Sequence, residues 1–269
     1  MNISNVRVIS DIHIEFHSFE LPELETDSTS VLVLAGDIDV LGKATEFIDD
    51  VASRFAHVIY VLGNHEHFKW FFERTEEDLI THYNKETSPS NVTVAGNVPK
   101  LIVFDNIRFL AGTMWTDMNK SCPMTINICS YSMNDYRLIR KKNGEKLRAQ
   151  DTIEVFNKTV SQFSEWLKTD FDGTTIIVSH HLPSFIVVDP EYVTAKELNG
   201  AYASDLDDFI ADNKIDYWFF GHSHRSRSEI VYNTNIMSNP RGYPRKRNWM
   251  TIDVDFENPS FDPLFNIAI

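Results

Sequence analysis

Short apolar runs that stop at polar signatures recur along the chain. Residues 6–9 run into Ser10-Asp11, 31–35 into Gly36-Asp37, 58–62 into Gly63-Asn64, 176–178 into Ser179-His180, and 217–220 into Gly221-His222. Continuous apolarity over so few residues predicts strands buried on both faces. Between them the spacing becomes helical, as in Ala44, Phe47, Ile48, Val51 and Phe55. A clearer helical series, Ile153, Phe156, Val160, Phe163, Trp166 and Leu167, is entered through Asp151 with Glu154 three residues on. Strands alternating with helices predict an α/β architecture. The runs 91–94, 101–104 and 107–112, and then 229–232, 236–238 and 249–254, read as antiparallel, so mixed sheets are expected. No internal repeat and no linker rich in Pro, Gly and Ser interrupts the periodicity, which makes residues 1–269 one expected domain.

Composition narrows the classes. The 269 residues are 42% hydrophobic and 24% charged, near globular averages. The formal charge of −14 opposes nonspecific attraction to DNA or anionic membranes, so a polyanionic substrate needs a local basic patch. Cys122 and Cys129 lack the spacing of a disulfide framework or a thiolate zinc site and read as free thiols. There is no leader-like amino terminus, and no apolar run reaches the ~18 residues of a membrane span. A cytoplasmic protein with no membrane partner is expected.

The chemistry gathers at the strand ends. Asp11-Ile12-His13, Gly36-Asp37-Ile38-Asp39, Gly63-Asn64-His65-Glu66, Ser179-His180-His181 and Gly221-His222-Ser223-His224 hold six of the ten histidines in 18 residues. Loops beyond the carboxyl ends of neighbouring strands converge on one crevice, so all five clusters can face a common point. Carboxylates, an amide oxygen and imidazoles without thiolate suit divalent ions, Mn²⁺ foremost, with Fe²⁺, Zn²⁺ or Ni²⁺ as alternatives. So many donors fit two ions ~3.5–4 Å apart, sharing a carboxylate and a water whose lowered pKa supplies hydroxide for attack on phosphorus.

The ordered series Asp-x-His, Gly-Asp, Gly-Asn-His-Glu, His and Gly-His-x-His over residues 9–224 resembles the calcineurin-like metallophosphoesterase family. The resemblance implies a four-layer α/β sandwich with two central mixed β-sheets flanked by helices. It places Asp11, His13 and His224 on a first metal and Asn64, His180 and His222 on a second, with Asp37 bridging. It makes His65 the proton or hydrogen-bond donor to the leaving oxygen, a role worth ~10²–10⁴-fold. Glu66 or Asp39 could orient a ligand imidazole. Adjacent residues of an extended chain point opposite ways, so only one of His180 and His181 is expected on a metal.

The serine/threonine protein phosphatases of this superfamily have Gly-Asp-x-Val-Asp-Arg-Gly, whereas residues 36–42 lack the arginine that grips a phosphomonoester dianion. The expectation is therefore a phosphodiesterase for nucleotide or other small phosphodiester substrates. A phosphomonoesterase for nucleotides or nucleic-acid ends is one alternative, and a metal-dependent phospho-ligand binding protein another. Twelve of the 25 basic residues fall in 137–148 and 225–247, either an anion funnel that would admit nucleic acid or an ordinary solvated face. In Asn239-Pro240-Arg241-Gly242-Tyr243, Arg241 is a candidate contact to substrate phosphate. Residues 133–136 and 201–204 could supply further supporting groups, and Trp115 could stack on substrate or belong to the core.

Overall fold

All five apolar runs with polar ends are strands in the structure, a computed structural model that describes residues 2–41, 43–245 and 254–269. They are β1 (Asn5–Ile9), β2 (Ser30–Ala35), β3 (His57–Val61), β7 (Thr174–Val178) and β8 (Tyr217–Phe220). The others are β4 (Val92–Ala95), β5 (Lys100–Val103), β6 (Ile107–Ala111), β9 (Arg227–Val231), β10 (Thr234–Ser238) and β11 (Asn266–Ala268). One sheet has the order β11-β1-β2-β3-β4, the other β5-β6-β7-β8-β10-β9. Both are mixed. In the first, β1 to β4 run parallel and β11 antiparallel to β1; in the second, β6, β7, β8 and β10 run parallel, with antiparallel β5 and β9 at the edges.

Residues 91–94 thus differ from the antiparallel expectation: β4 pairs in parallel with β3, because the helix Arg74–Tyr83 makes a crossover between them. The run 101–104 against 107–112 is antiparallel as expected, and so is 229–232 against 236–238. Of the third run, 249–253 lies outside the described residues.

The two-residue period of the strands builds the layers. Val6, Val8, Val31, Val33, Ile59 and Val61 meet Ile107, Phe109, Ile176, Val178 and Phe219 in a core between the sheets. The alternate residues Leu32, Leu34, Val58 and Tyr60 face outward and are covered by Ile48, Val51, Leu79 and Tyr83 from the helices Thr45–Ala52 and Arg74–Tyr83. On the far side, Leu110, Ile177, Trp218 and Phe220 receive Phe156, Phe163 and Ile210 from the helices Ala149–Leu167 and Asp207–Asp212. Helix, sheet, sheet and helix form the four layers. The helix Ala149–Leu167 starts earlier than Asp151, whose carboxylate instead accepts the Arg148 backbone N–H at 2.9 Å from inside the first turn.

A fourth cluster, with Trp115, Met118, Cys129, Met133 and Tyr136, underlies the segment after β6. Trp115 is core, its Nε1–H donated to Asn97 at 2.9 Å. Among the described residues no helix is long and apolar enough to cross a membrane.

Candidate metal centre

Parallel β1, β2 and β3 of one sheet and β7 and β8 of the other deliver their carboxyl ends to one mouth between the sheets. The backbone there is unusual. Asp11, His13, Asp37, His222 and His224 all have left-handed φ, between 45 and 69°. Asp and His are among the few non-glycine residues that enter this region readily, so the donor chemistry and the sharp turns are compatible in the same residues. Gly36 and Gly63 make room: a Cβ on Gly36, itself at φ +89°, would lie 2.2 Å from Nδ1 of His180, and one on Gly63 would lie 2.2 Å from Oδ1 of Asp37.

The expected donors come together in two groups with one shared member. Asp11, His13, Asp37 and His224 form one possible cation cluster and Asp37, His180 and His222 another. Asp37 turns Oδ1 toward Nε2 of His180 at 3.4 Å and Oδ2 toward Nε2 of His13 at 3.8 Å. Oδ1 of Asn64 lies 3.1 Å from Nε2 of His180, and Nε2 of His224 is 3.4 Å from Asp11 and 3.0 Å from Nε2 of His13. Asp11 also receives the His222 backbone N–H on both oxygens, at 3.0 Å.

These residues fit a pair of divalent ions on chemical grounds. Nδ1 of His13 is 3.1 Å from Glu15, Nδ1 of His224 2.6 Å from Glu257 and Nδ1 of His180 2.9 Å from the Ala35 carbonyl. Each of these acceptors holds the proton on Nδ1 and turns Nε2 toward the cluster. Nε2 of His222 is buried and has no hydrogen-bond partner. The cluster also demands positive charge. Burial opposes protonation of His180, but Asp37 overcomes it and raises the group to about 9. Burial is likewise outweighed at His224, where Asp11 and Glu257 raise it to about 10. Burial and the neighbouring imidazoles hold His222 well below its usual value. Protons on His180 and His224 and divalent ions answer the same electrostatic demand, and ion binding would displace protons.

His65 stands beside Asp37, with Nε2 3.9 Å from Oδ2 and its backbone N–H donated to Oδ1 at 2.9 Å. Its Nδ1 is 3.1 Å from the same Glu15 oxygen that holds His13, and the Tyr243 hydroxyl is 2.8 Å from Nε2. Burial lowers its pKa, but Asp37 and Glu15 reverse the direction and raise it.

Three expectations change, those for Glu66, Asp39 and Arg241. Glu66 orients no imidazole: its fully buried carboxylate accepts the backbone N–H groups of Asp37, Ile38 and Gly63 and the Tyr60 hydroxyl, at 2.7–3.1 Å, and so fixes the loops that carry Asp37 and Asn64. Asp39 accepts the backbone N–H of Val40 at 2.7 Å, and Glu15 and Glu257 orient imidazoles instead. Arg241 is 3% exposed and donates to the carbonyls of Ile12, His17 and Ser18 over the rings of Phe19 and Phe256, so its charge is spent on the loop after β1 and not on substrate. His181 lies between Trp115 and His222, ring centroids 5.0 and 4.4 Å away, and supports His222 by packing.

Three supporting carboxylates were not singled out from sequence. Glu15 continues the alternation Asp11, His13, Glu15, a signal present in the motif itself. Asp135, within the flagged segment 133–136, accepts Nδ2 of Asn64 at 2.8 Å and so turns the amide oxygen toward His180; burial raises it to about 6. Glu257 has no local signal, because only folding brings the tail to His224.

The basic segments divide. In 137–148, Lys141 and Lys142 pair with Asp151 and Glu77, away from the centre. In 225–247, Arg225 and Arg245 border a cleft of about 560 Å³ that opens from Asp37, Asn64, His65 and His222, while Lys246 and Arg247 lie outside the described residues.

Residues 4–226 match the family model described as calcineurin-like phosphoesterase. An uncharacterized protein of Acanthamoeba polyphaga mimivirus is 27% identical over 279 residues, covering 93% of this chain and 96% of its own. Among solved structures, the phosphopantetheinyl hydrolase of Mycobacterium tuberculosis aligns with a TM-score of 0.69 at 16% identity, over 90% of this chain and 91% of that one. A putative 5'-nucleotidase from Staphylococcus aureus gives 0.48 at 16% identity, over 87% of this chain and 48% of that one.

Proposed function

The chain belongs to the calcineurin-like phosphoesterase family and is a metal-dependent phosphoesterase, and from that premise we propose that it hydrolyses nucleotide or other small phosphodiesters at a dimetal centre. Asp11, His13, Asp37 and His224 would hold one ion, and Asp37, Asn64, His180 and His222 the other. The observation that carries the assignment is Asp37, whose two oxygens point to different clusters. Two bound divalent ions, Mn²⁺ first among the candidates, would supply Lewis-acid activation of water and of the phosphoryl oxygens.

The protein's own groups do the rest. Glu15 accepts from Nδ1 of His65 and, with Asp37, favours the doubly protonated ring, whose Nε2–H would donate to the departing oxygen. Asn64 contributes a neutral oxygen, so the centre keeps positive charge for a phosphate monoanion. The diester preference is supported by the commitments of the guanidinium groups: Arg241 is bound to carbonyls, and Arg225 is paired with Glu191 at 3.5 Å and Asp189 at 3.8 Å. Neither of these two guanidiniums is left uncommitted for the second charge of a monoester, and Arg245, the third at the cleft, donates to the Glu257 carbonyl at 3.2 Å.

The test is steady-state hydrolysis of bis(p-nitrophenyl) phosphate beside p-nitrophenyl phosphate, with protein stripped of metal and reloaded with Mn²⁺. Preference for the diester is expected. Preference for the monoester would replace this reading with a phosphomonoesterase, and metal-dependent binding without turnover of either would make the protein a phospho-ligand receptor.

A further inference from the structure

The cleft changes character away from the carboxylates and imidazoles. Tyr202 lies against His222, centroids 4.6 Å apart and 30° between planes, so an aromatic wall begins at the metal centre. Leu182, Val188, Leu198, Met133 and Tyr192 extend the lining. Tyr192 keeps 47% of its surface exposed, whereas Leu182 and Val188 are buried beneath the wall. The charge of Arg225 on the cleft is already paired. Both arginines of its lining donate to the Glu257 carbonyl, Arg225 at 2.5 Å and Arg245 at 3.2 Å, and Arg225 also faces Asp189 and Glu191.

We propose that the substrate is a phosphodiester carrying an uncharged aromatic or apolar substituent that rests on the wall of Tyr192, Leu198 and Tyr202. The proposal rests on the phosphodiesterase reading above and adds the class of ester. Apolar area removed from water supplies the affinity, because Tyr192, Leu198 and Tyr202 offer mainly ring and aliphatic surface while Arg225 is engaged with Asp189 and Glu191. A second negative charge on the substituent would meet Asp189 in the lining and would have to break the Arg225 pairs.

Three p-nitrophenyl phosphodiesters with one leaving group separate the possibilities: the methyl, phenyl and 4-carboxyphenyl esters. With Mn²⁺-reloaded protein, the phenyl ester is expected to show a KM roughly tenfold below the methyl ester at similar kcat. The carboxyphenyl ester should lose that advantage, and Leu198→Asn should narrow the gap between phenyl and methyl. Equal KM values for methyl and phenyl, or tightest use of the carboxyphenyl ester, would overturn the proposal. Calorimetric titration of wild-type protein with diphenyl and dimethyl phosphate decides the same point without turnover or a variant. If no ester is hydrolysed but diphenyl phosphate still binds at least tenfold tighter, the phosphodiesterase reading falls and the wall stands; equal binding removes the wall.

Discussion

The Tyr243 hydroxyl and Nε2 of His65 are 2.8 Å apart, beside the Asp37 carboxylate, and on the proposed mechanism that nitrogen protonates the departing alkoxide. With Glu15 at Nδ1, the imidazole is held at both ends. Tyr243→Phe and Glu15→Gln are therefore expected to slow esters of poor, aliphatic leaving groups by about 10–100-fold, with a smaller effect on p-nitrophenyl esters that need little protonation. His65→Ala should reproduce the pattern more strongly while both metals are retained. A uniform loss across leaving groups would assign these residues to folding of the site instead.

Asp37→Asn removes the one carboxylate shared by both donor clusters. Elemental analysis after gel filtration should show less than one equivalent of divalent metal in the variant against two in the parent, and turnover should fall with it. Normal metal content at normal rate would remove Asp37 from its bridging place.

Glu66 accepts four donors on two oxygens. In Glu66→Gln, either orientation of the amide sets an NH₂ against two of those donors, a loss of about 1–3 kcal/mol per unsatisfied buried group. Denaturant unfolding at pH 8, above the value of about 7 to which burial and Asp37 raise this carboxyl, should report that destabilisation. An unchanged midpoint would show that the loops after β2 and β3 do not depend on this clamp.

His67 is fully buried against Phe72 and Trp115 with neither ring nitrogen hydrogen-bonded, and burial lowers its pKa to about 3. The unfolded chain takes up a proton near pH 6.5, the folded chain only near 3, so stability falls as pH drops through this window. Between pH 6.5 and 4.5 the cost is about 2–3 kcal/mol at ~1.4 kcal/mol per unit. His67→Leu should flatten the acid limb of the stability curve, and parallel curves for variant and parent would rule out His67 as its source.

Strand positions and the carboxyl-end donors were legible because each depends on a few consecutive residues. The runs before Asp11, Asp37, Asn64, His180 and His222 needed only their apolarity and the polar stop. The direction of β4 was not legible, since parallel or antiparallel pairing is decided by the path of the intervening chain rather than by the strand's own residues. Arg241 misled for a related reason: a guanidinium beside a motif loop is as well satisfied by three carbonyls as by a phosphate, and only the third dimension distinguishes them. Glu257 stayed hidden because its partner His224 is 33 positions away, with no periodicity linking them.

The centre draws from both sheets at once, and this has a mechanical consequence. His13 and His224, 211 residues apart in sequence, would grip one ion, while Asn64 and His180 would grip the next. Bound ions would then act as rivets across the seam between the sheets and close most of the polypeptide into rings. An ion at a hundred times its dissociation constant adds about 2.7 kcal/mol against unfolding. Catalytic competence and resistance to prying the sheets apart would thus rise and fall together with the supply of metal.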